Sequence, residues 1–238
     1  MASTSSERPV RVRLVEAAAR LLSREGPQAL TARRLANEVG ASTMALYTHF
    51  GGMPELVRAV VDEGFARLAA HMAAVPRTAD PVADLGSLAL AYRANALANP
   101  HLYGVMLGGA PLGRYRVPPA ELIEGRRNDS DTFGVLVEAT KRAMADGRFR
   151  SGDPAVVSAQ LWSAIHGFVM LELAGHLAGE PDVETVLTPL LATIAAGLGD
   201  DPEATARSVA AVRSHLRAEA GAGAPREAGG RAVAVDGP

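Results

Sequence analysis

The chain has 238 residues, enough for one large helical domain or for a small domain joined to a larger one. Hydrophobic residues make up 48% of it but aromatics only 4%, an Ala-, Leu- and Val-rich composition that suits closely packed helices. There is no cysteine, which excludes a disulfide framework, a thiolate nucleophile and a Cys-ligated zinc. Uninterrupted apolar runs fall short of the roughly 18–20 residues that cross a bilayer, and the polar start Met1–Arg8 has no apolar core behind it, so neither a membrane span nor a secretory signal is expected. The expected location is the cytoplasm.

The net charge of −2 hides an asymmetry. Residues 1–52 carry seven Arg against four Glu, whereas the remainder is net acidic. A basic head on an acidic body suits a head that meets phosphate, although a solvated helix face accounts for so small an excess equally well.

In chain order, Leu14, Ala18, Leu21 and Leu22 form one stripe of a first helix, which Gly26-Pro27 ends. Thr31 reads as the N-cap of a short second helix buried through Leu35, Ala36 and Val39 and closed by Gly40. Ser42 caps a third helix containing Leu46, Tyr47 and Phe50, and Gly51-Gly52 breaks the pattern. Pro54 is expected at the first position of a fourth helix running to about residue 74, with Met53 extended before it. A junction follows at 76–81. Further helices are expected near 81–98, 100–107, 130–146, 154–178, 182–198 and 202–219, with a long Gly/Pro-rich break at 108–129. Residues 220–238 offer no core face and read as disordered. No strand pattern and no repeat is visible. The expected class is all-α: a three-helix head at 1–52, a connecting helix at 53–75 and a helical body at 76–219.

Two short helices joined by a turn at Gly40 and braced on a longer first helix make a helix-turn-helix. In that arrangement the second helix crosses the phosphate backbone and the third presents its N-terminal side chains to base edges in the major groove. Helix N-termini carry partial positive charge and free amides, so Thr31 and Ser42 stand where phosphates would dock.

Thr31-Ala32-Arg33-Arg34-Leu35-Ala36, Gly40-Ala41-Ser42, Leu46-Tyr47, His49-Phe50 and Leu56 resemble the signature of the TetR/AcrR family of transcriptional regulators over about 45 residues in register. The resemblance implies that Thr31 and Arg33 contact phosphates. It also implies that Ser42, Thr43, Met44, Ala45 and Thr48 face bases or phosphates, and that Tyr47 and His49 hold adjacent phosphates. Read without it, Tyr47 either packs or binds phosphate, and Arg33 and Arg34 are equally compatible with solvated surface. The family usually has a Lys where this chain has Met53, and losing one phosphate contact flattens the salt dependence of binding by about one unit. The third helix also lacks Arg, Lys, Asn and Gln, which argues against bidentate reading of purines. Thymine-methyl contacts, hydroxyl bonds and DNA shape would then carry specificity.

A single helix-turn-helix usually acts in pairs, so the body is expected to form a homodimer. The family places the last two long helices in a four-helix interface, here 154–178 and 182–198. Trp162, His166 and Gly167, with Asn99-Pro100-His101-Leu102-Tyr103, resemble the Trp-His-Gly subgroup of its C-terminal domains. A pocket for a small-molecule effector is expected among Tyr92, Asn95, His101, Leu102, Met106, Phe133, Val137, Met144, Trp162, His166 and Met170, mostly apolar as such sites are. Packed core is the competing reading of every one of them. Glu172 is an anchor for a cationic ligand, an ion-pair partner or an exposed carboxylate.

The expected function is a DNA-binding regulator, most simply a repressor that binds a palindromic double-stranded operator as a dimer and is released by a small molecule. The alternative is a helical ligand-binding or adaptor protein without specific DNA binding. No HExxH pair, phosphate loop or nucleophile elbow supports catalysis, and nothing calls for a cofactor or metal.

Overall fold

A computed structural model describes residues 9–107, 132–177 and 182–222, the last eight of these in backbone only. The described residues are helical, and none of them forms a strand. The expected break at 108–129 and most of the expected disordered tail lie outside them.

The head comprises α1 (Val10–Glu25), α2 (Ala32–Val39) and α3 (Thr43–Phe50). α1 buries Leu14, Ala18, Leu21 and Leu22 and stops where Gly26 turns to φ 76°. Thr31 caps α2 by accepting from the Arg34 amide at 3.3 Å, and Ser42 caps α3 by accepting from Ala45 at 3.2 Å. Between them Gly40 takes φ 64°, the left-handed conformation that a side chain would penalise. The guanidinium of Arg13 donates to the carbonyl of Val39 at 2.7 Å, fastening the end of α2 to α1.

α4 (Met53–Ala73) leaves the head and enters the body. Met53 is the first helical residue and Pro54 the second, with Gly52 as the cap, so the expectation of an extended Met53 is corrected. Proline is tolerated there because no first-turn amide has an intrahelical acceptor to lose. α5 (Pro81–Ala98) is capped by Asp80, which accepts from the Val82 and Ala83 amides. α6 (Pro100–Met106) packs against both α1 and α4.

α7 (Thr132–Ala145) and α8 (Pro154–Leu173) pack against each other and on α5. α8 ends at Leu173, short of the expected 178, because Gly175 turns to φ 78°. The expected single helix at 182–198 is a π-helical turn, Val183–Leu187, running into α9 (Thr188–Gly197). The cause is Pro189, whose ring would clash with the carbonyl four residues earlier in a tight α-turn and which has no amide to donate; widening the turn relieves both. The Thr188 amide accordingly reaches back to Val183. α10 (Pro202–Ala222) closes the body against α5 and α9 and runs slightly beyond the expected 219.

Two polar networks fasten the body. Arg148 pairs with Asp200 at 2.5 Å and Asp80 at 2.9 Å, while Ser208 donates to Asp80 at 2.6 Å, joining the starts of α5 and α10. Burial pushes the Asp80 and Asp200 carboxyls up, but the hydrogen bonds and the Arg148 charge outweigh it and hold both below the ordinary carboxylate range. Arg93 on α5 grips Glu172 on α8 through both carboxylate oxygens at 2.6–3.1 Å, and both side chains are largely buried.

Candidate nucleic-acid interface and interior cavity

α3 is held by one fully buried side chain, Leu46, and by Phe50, over whose ring the Arg11 guanidinium lies at 5.3 Å. Everything else on the helix turns outward. Ser42, Thr43, Thr48 and His49 are exposed, Ala45 is half-buried, Met44 is 67% exposed and Tyr47 50% exposed. Met44 and Tyr47 together put apolar surface on the outward side of α3. The Thr48 hydroxyl donates to the Met44 carbonyl at 2.9 Å, which fixes its direction.

At the start of α2, Thr31 and Arg33 are exposed. Arg34 is clamped by Glu25 at 2.5 and 2.8 Å, so its charge is largely neutralised and Arg33 remains the available cation of the pair.

In the body a cavity of about 140 Å³ lies among α4, α5, α7, α8, α9 and α10. Of the expected pocket residues, Tyr92, Phe133 and Trp162 line it. Behind that wall the two tyrosines Tyr92 and Tyr103, with His166 and Trp162, form one connected group. Tyr103 bonds Tyr92 at 3.0 Å and His166 Nδ1 at 2.8 Å, Tyr92 lies 3.1 Å from His166 Nδ1, and Trp162 Nε1 donates to the Tyr92 hydroxyl at 3.1 Å. Burial holds His166 below the usual imidazole range and pushes the Tyr103 phenol up, so both are neutral near pH 7. With Nδ1 of a neutral His166 as acceptor, the two phenol protons serve two of the three contacts among Tyr92, Tyr103 and His166, while the Trp162 indole adds a donor to Tyr92.

The other expected pocket residues point elsewhere. Asn95 is buried at the α5–α6 corner, where the Asn99 side chain donates to its carbonyl at 3.2 Å. His101 bonds Ser23 of α1 at 3.2 Å. Met106 packs on Gly64 of α4, leaving so little room that an added Cβ would lie 2.8 Å from its sulfur. Met170 is half-buried and packs against the core, and Leu102, Val137 and Met144 do not reach the cavity either. Glu172 is not an open anchor, because Arg93 already holds it.

Two family profiles match the chain: bacterial regulatory proteins of the tetR family over residues 14–60, and the tetracyclin repressor-like C-terminal domain over 85–194. The chain belongs to the TetR family. It is 29% identical over 190 residues to the uncharacterized HTH-type transcriptional regulator Rv0681 of Mycobacterium tuberculosis, covering 78% of this chain and 79% of that one. Among solved structures, a protein of unknown function from Rhodococcus sp. RHA1 matches with a TM-score of 0.66 and 27% identity, over 84% of this chain and all of that one. The TetR family transcriptional regulator PfmR from Thermus thermophilus matches with a TM-score of 0.57 and 24% identity, over 66% and 85% of the two chains.

As a TetR-family member the chain is a DNA-binding transcriptional regulator, and the helix-turn-helix lies within the first matched segment. Sequence reasoning named Tyr103 only as part of a motif and missed its place beside His166. The available signal was a lone tyrosine in a seven-residue apolar helix: buried whole, its hydroxyl must find a partner. Arg11 was missed because its contact with Phe50 spans 39 positions of sequence.

Proposed function

We propose that the protein is a repressor that binds a palindromic operator as a homodimer and releases it when a small molecule enters the body. The observation that carries this reading is the outward face of α3. Met44, Tyr47 and their neighbours are presented to solvent on a helix anchored by a single buried leucine. Residues 1–52 act as the DNA-reading head, 53–75 as the connecting helix and 76–219 as the effector and dimerisation unit, in the cytoplasm. Thr31, Arg33, Tyr47 and His49 position the head on phosphates, while Ser42, Thr43, Met44, Ala45 and Thr48 meet the groove.

Pairing through α8 and α9 is supported by what those helices expose. Val156 is 55% and Leu171 49% exposed, Leu190 of α9 and Val186 of the π-helical turn before it are also open, and the exposed face of α8 bears no charged side chain. α8 is long and apolar enough to cross a bilayer by composition, yet it carries the buried Arg93–Glu172 pair and packs on α5 and α7. A second copy covers that face better than lipid does.

Release follows from geometry. α6 touches α1 and α4 while its Tyr103 bonds the group behind the cavity wall, so an effector that displaces Trp162 or Tyr92 changes how α6 supports α4 and the head. It shifts operator occupancy only by its differential affinity for the two arrangements.

The deciding experiment is selection of bound DNA from a random pool with the full-length chain, followed by salt-titrated shift assays on the enriched site. A single palindromic site, bound by two copies, is the expected result. Enrichment of nothing above background would sustain the adaptor reading, to which the absence of Arg, Lys, Asn and Gln on α3 lends its weight.

A further inference from the structure

We infer that the cavity selects an uncharged, largely apolar molecule about the size of a substituted benzene ring or a six-carbon chain, held by shape without an ionic anchor. This rests on the cavity being the effector site proposed above, and it adds the chemical class of the effector.

Three observations carry it. First, most of the polar groups that reach the wall are already used inside the protein, and the other two described, on Thr132 and Thr188, are uncharged hydroxyls. Trp162 Nε1 donates to Tyr92, which is itself bonded to Tyr103 and His166. Thr205 donates to Asp200 at 2.5 Å and Ser208 to Asp80 at 2.6 Å. Second, among the described residues the charged ones at the wall are Glu184 and Arg213, which pair with each other at its exposed rim. The buried carboxylate nearest in sequence to the Trp162–His166 face, Glu172, is neutralised by Arg93. Third, the remaining wall is aliphatic and aromatic, including Phe65, Leu88, Phe133, Leu161 and Ile165. A charge entering here loses its hydration and finds no unpaired counter-charge among the described residues, a penalty that disfavours it in an apolar interior. A cavity of about 140 Å³ is close in size to apolar cavities of roughly 150 Å³ that take benzene.

Trp162 lines the cavity and is the single tryptophan of the chain, so its emission reports occupancy directly. Full-length protein is titrated with toluene, n-hexanol, n-hexanoate and n-hexylammonium, following Trp162 emission and the melting temperature. Toluene and hexanol should give saturable changes, with both charged probes weaker by on the order of 100-fold. Hexanoate or hexylammonium binding as tightly as hexanol would overturn the inference, as would no response to either uncharged probe. Ala192→Phe, which fills the cavity from its half-buried edge, should abolish the toluene response; persistence of the response places binding elsewhere and overturns it too. If that variant fails to fold, Ile165→Ala serves instead, and the enlarged cavity should shift preference from toluene towards naphthalene; unchanged preference is a refutation. In Arg213→Ala, a selective loss of hexanoate binding would expose an ionic anchor and sink the claim. An operator shift assay without any probe keeps the two readings apart: DNA binding with no uncharged probe bound removes only the effector class, and probe binding without DNA binding removes only the regulator.

Discussion

Tyr47 stands half-exposed on α3 with Met44 beside it, and neither side chain contributes to the core below. If the Tyr47 hydroxyl bonds an operator phosphate, Tyr47→Ala weakens binding by about 1–2 kcal/mol at fixed salt without lowering the melting temperature. Anisotropy titrations on the selected site measure this, and an unchanged affinity would return Tyr47 to surface packing. A second residue-scale consequence concerns pH. Burial holds His166 below its ordinary value of 6.5, and burial followed by the Arg24 and Arg20 charges does the same for His101. Both stay neutral in the folded protein while the unfolded chain takes up protons, so their stabilisation is complete above about pH 6.5 and is lost as pH falls below it. The melting temperature should therefore drop between about pH 7 and about pH 5.5, and drop less in His166→Gln; equal slopes would remove His166 from this account. At this scale the caps Thr31 and Ser42 were legible because a hydroxyl before a helical stripe has one local use. The partners of Tyr103, Arg11 and Glu172 were not, because each lies dozens of residues away.

At the scale of elements, α4 and α6 approach closely at Gly64. A methyl there would lie 2.8 Å from the Met106 sulfur and 3.2 Å from its Cβ, so the two helices must part to accept it. Gly64→Ala should cost about 1–3 kcal/mol of stability in denaturant unfolding. In a Met106→Ala background the same change should cost much less, and a double-mutant cycle showing simple additivity would deny the contact. Because α6 also carries Tyr103, the single variant should alter the response of operator binding to ligand as well. Helix existence was legible throughout from apolar spacing and from the Gly and Pro punctuation. The π-helical turn at 183–187 was not: proline announces a disturbance, but how the backbone absorbs it depends on what packs around the turn.

For the whole molecule, the uncharged exposed face of α8 and α9 predicts assembly. Leu171→Asp combined with Leu190→Asp should convert a dimer to a monomer in sedimentation equilibrium, with operator affinity lowered by orders of magnitude because each half-site is then bound alone. A double variant that stays dimeric would move the interface elsewhere. Both side chains are open in the single chain, so their replacement leaves the monomer fold intact and the result interpretable.

Periodicity, caps and breakers act over a few residues, so the run of amino acids alone determined that this chain is all helical, where most helices begin, and which short helix faces outward in the head. It also carried the family signature, since those residues lie within one contiguous stretch. Which of the apolar and aromatic residues of the body surround a cavity was decided only by the tertiary structure. A Tyr, Met or His at helical spacing looks the same in sequence whether its neighbour across the interface is a wall or a space. Of the expected pocket residues, Tyr92, Phe133 and Trp162 reach that space, while His101 and Met106 fasten α6 to the helices of the head and its connector. Helix crossings set that division, and they are fixed by side chains far apart in the chain.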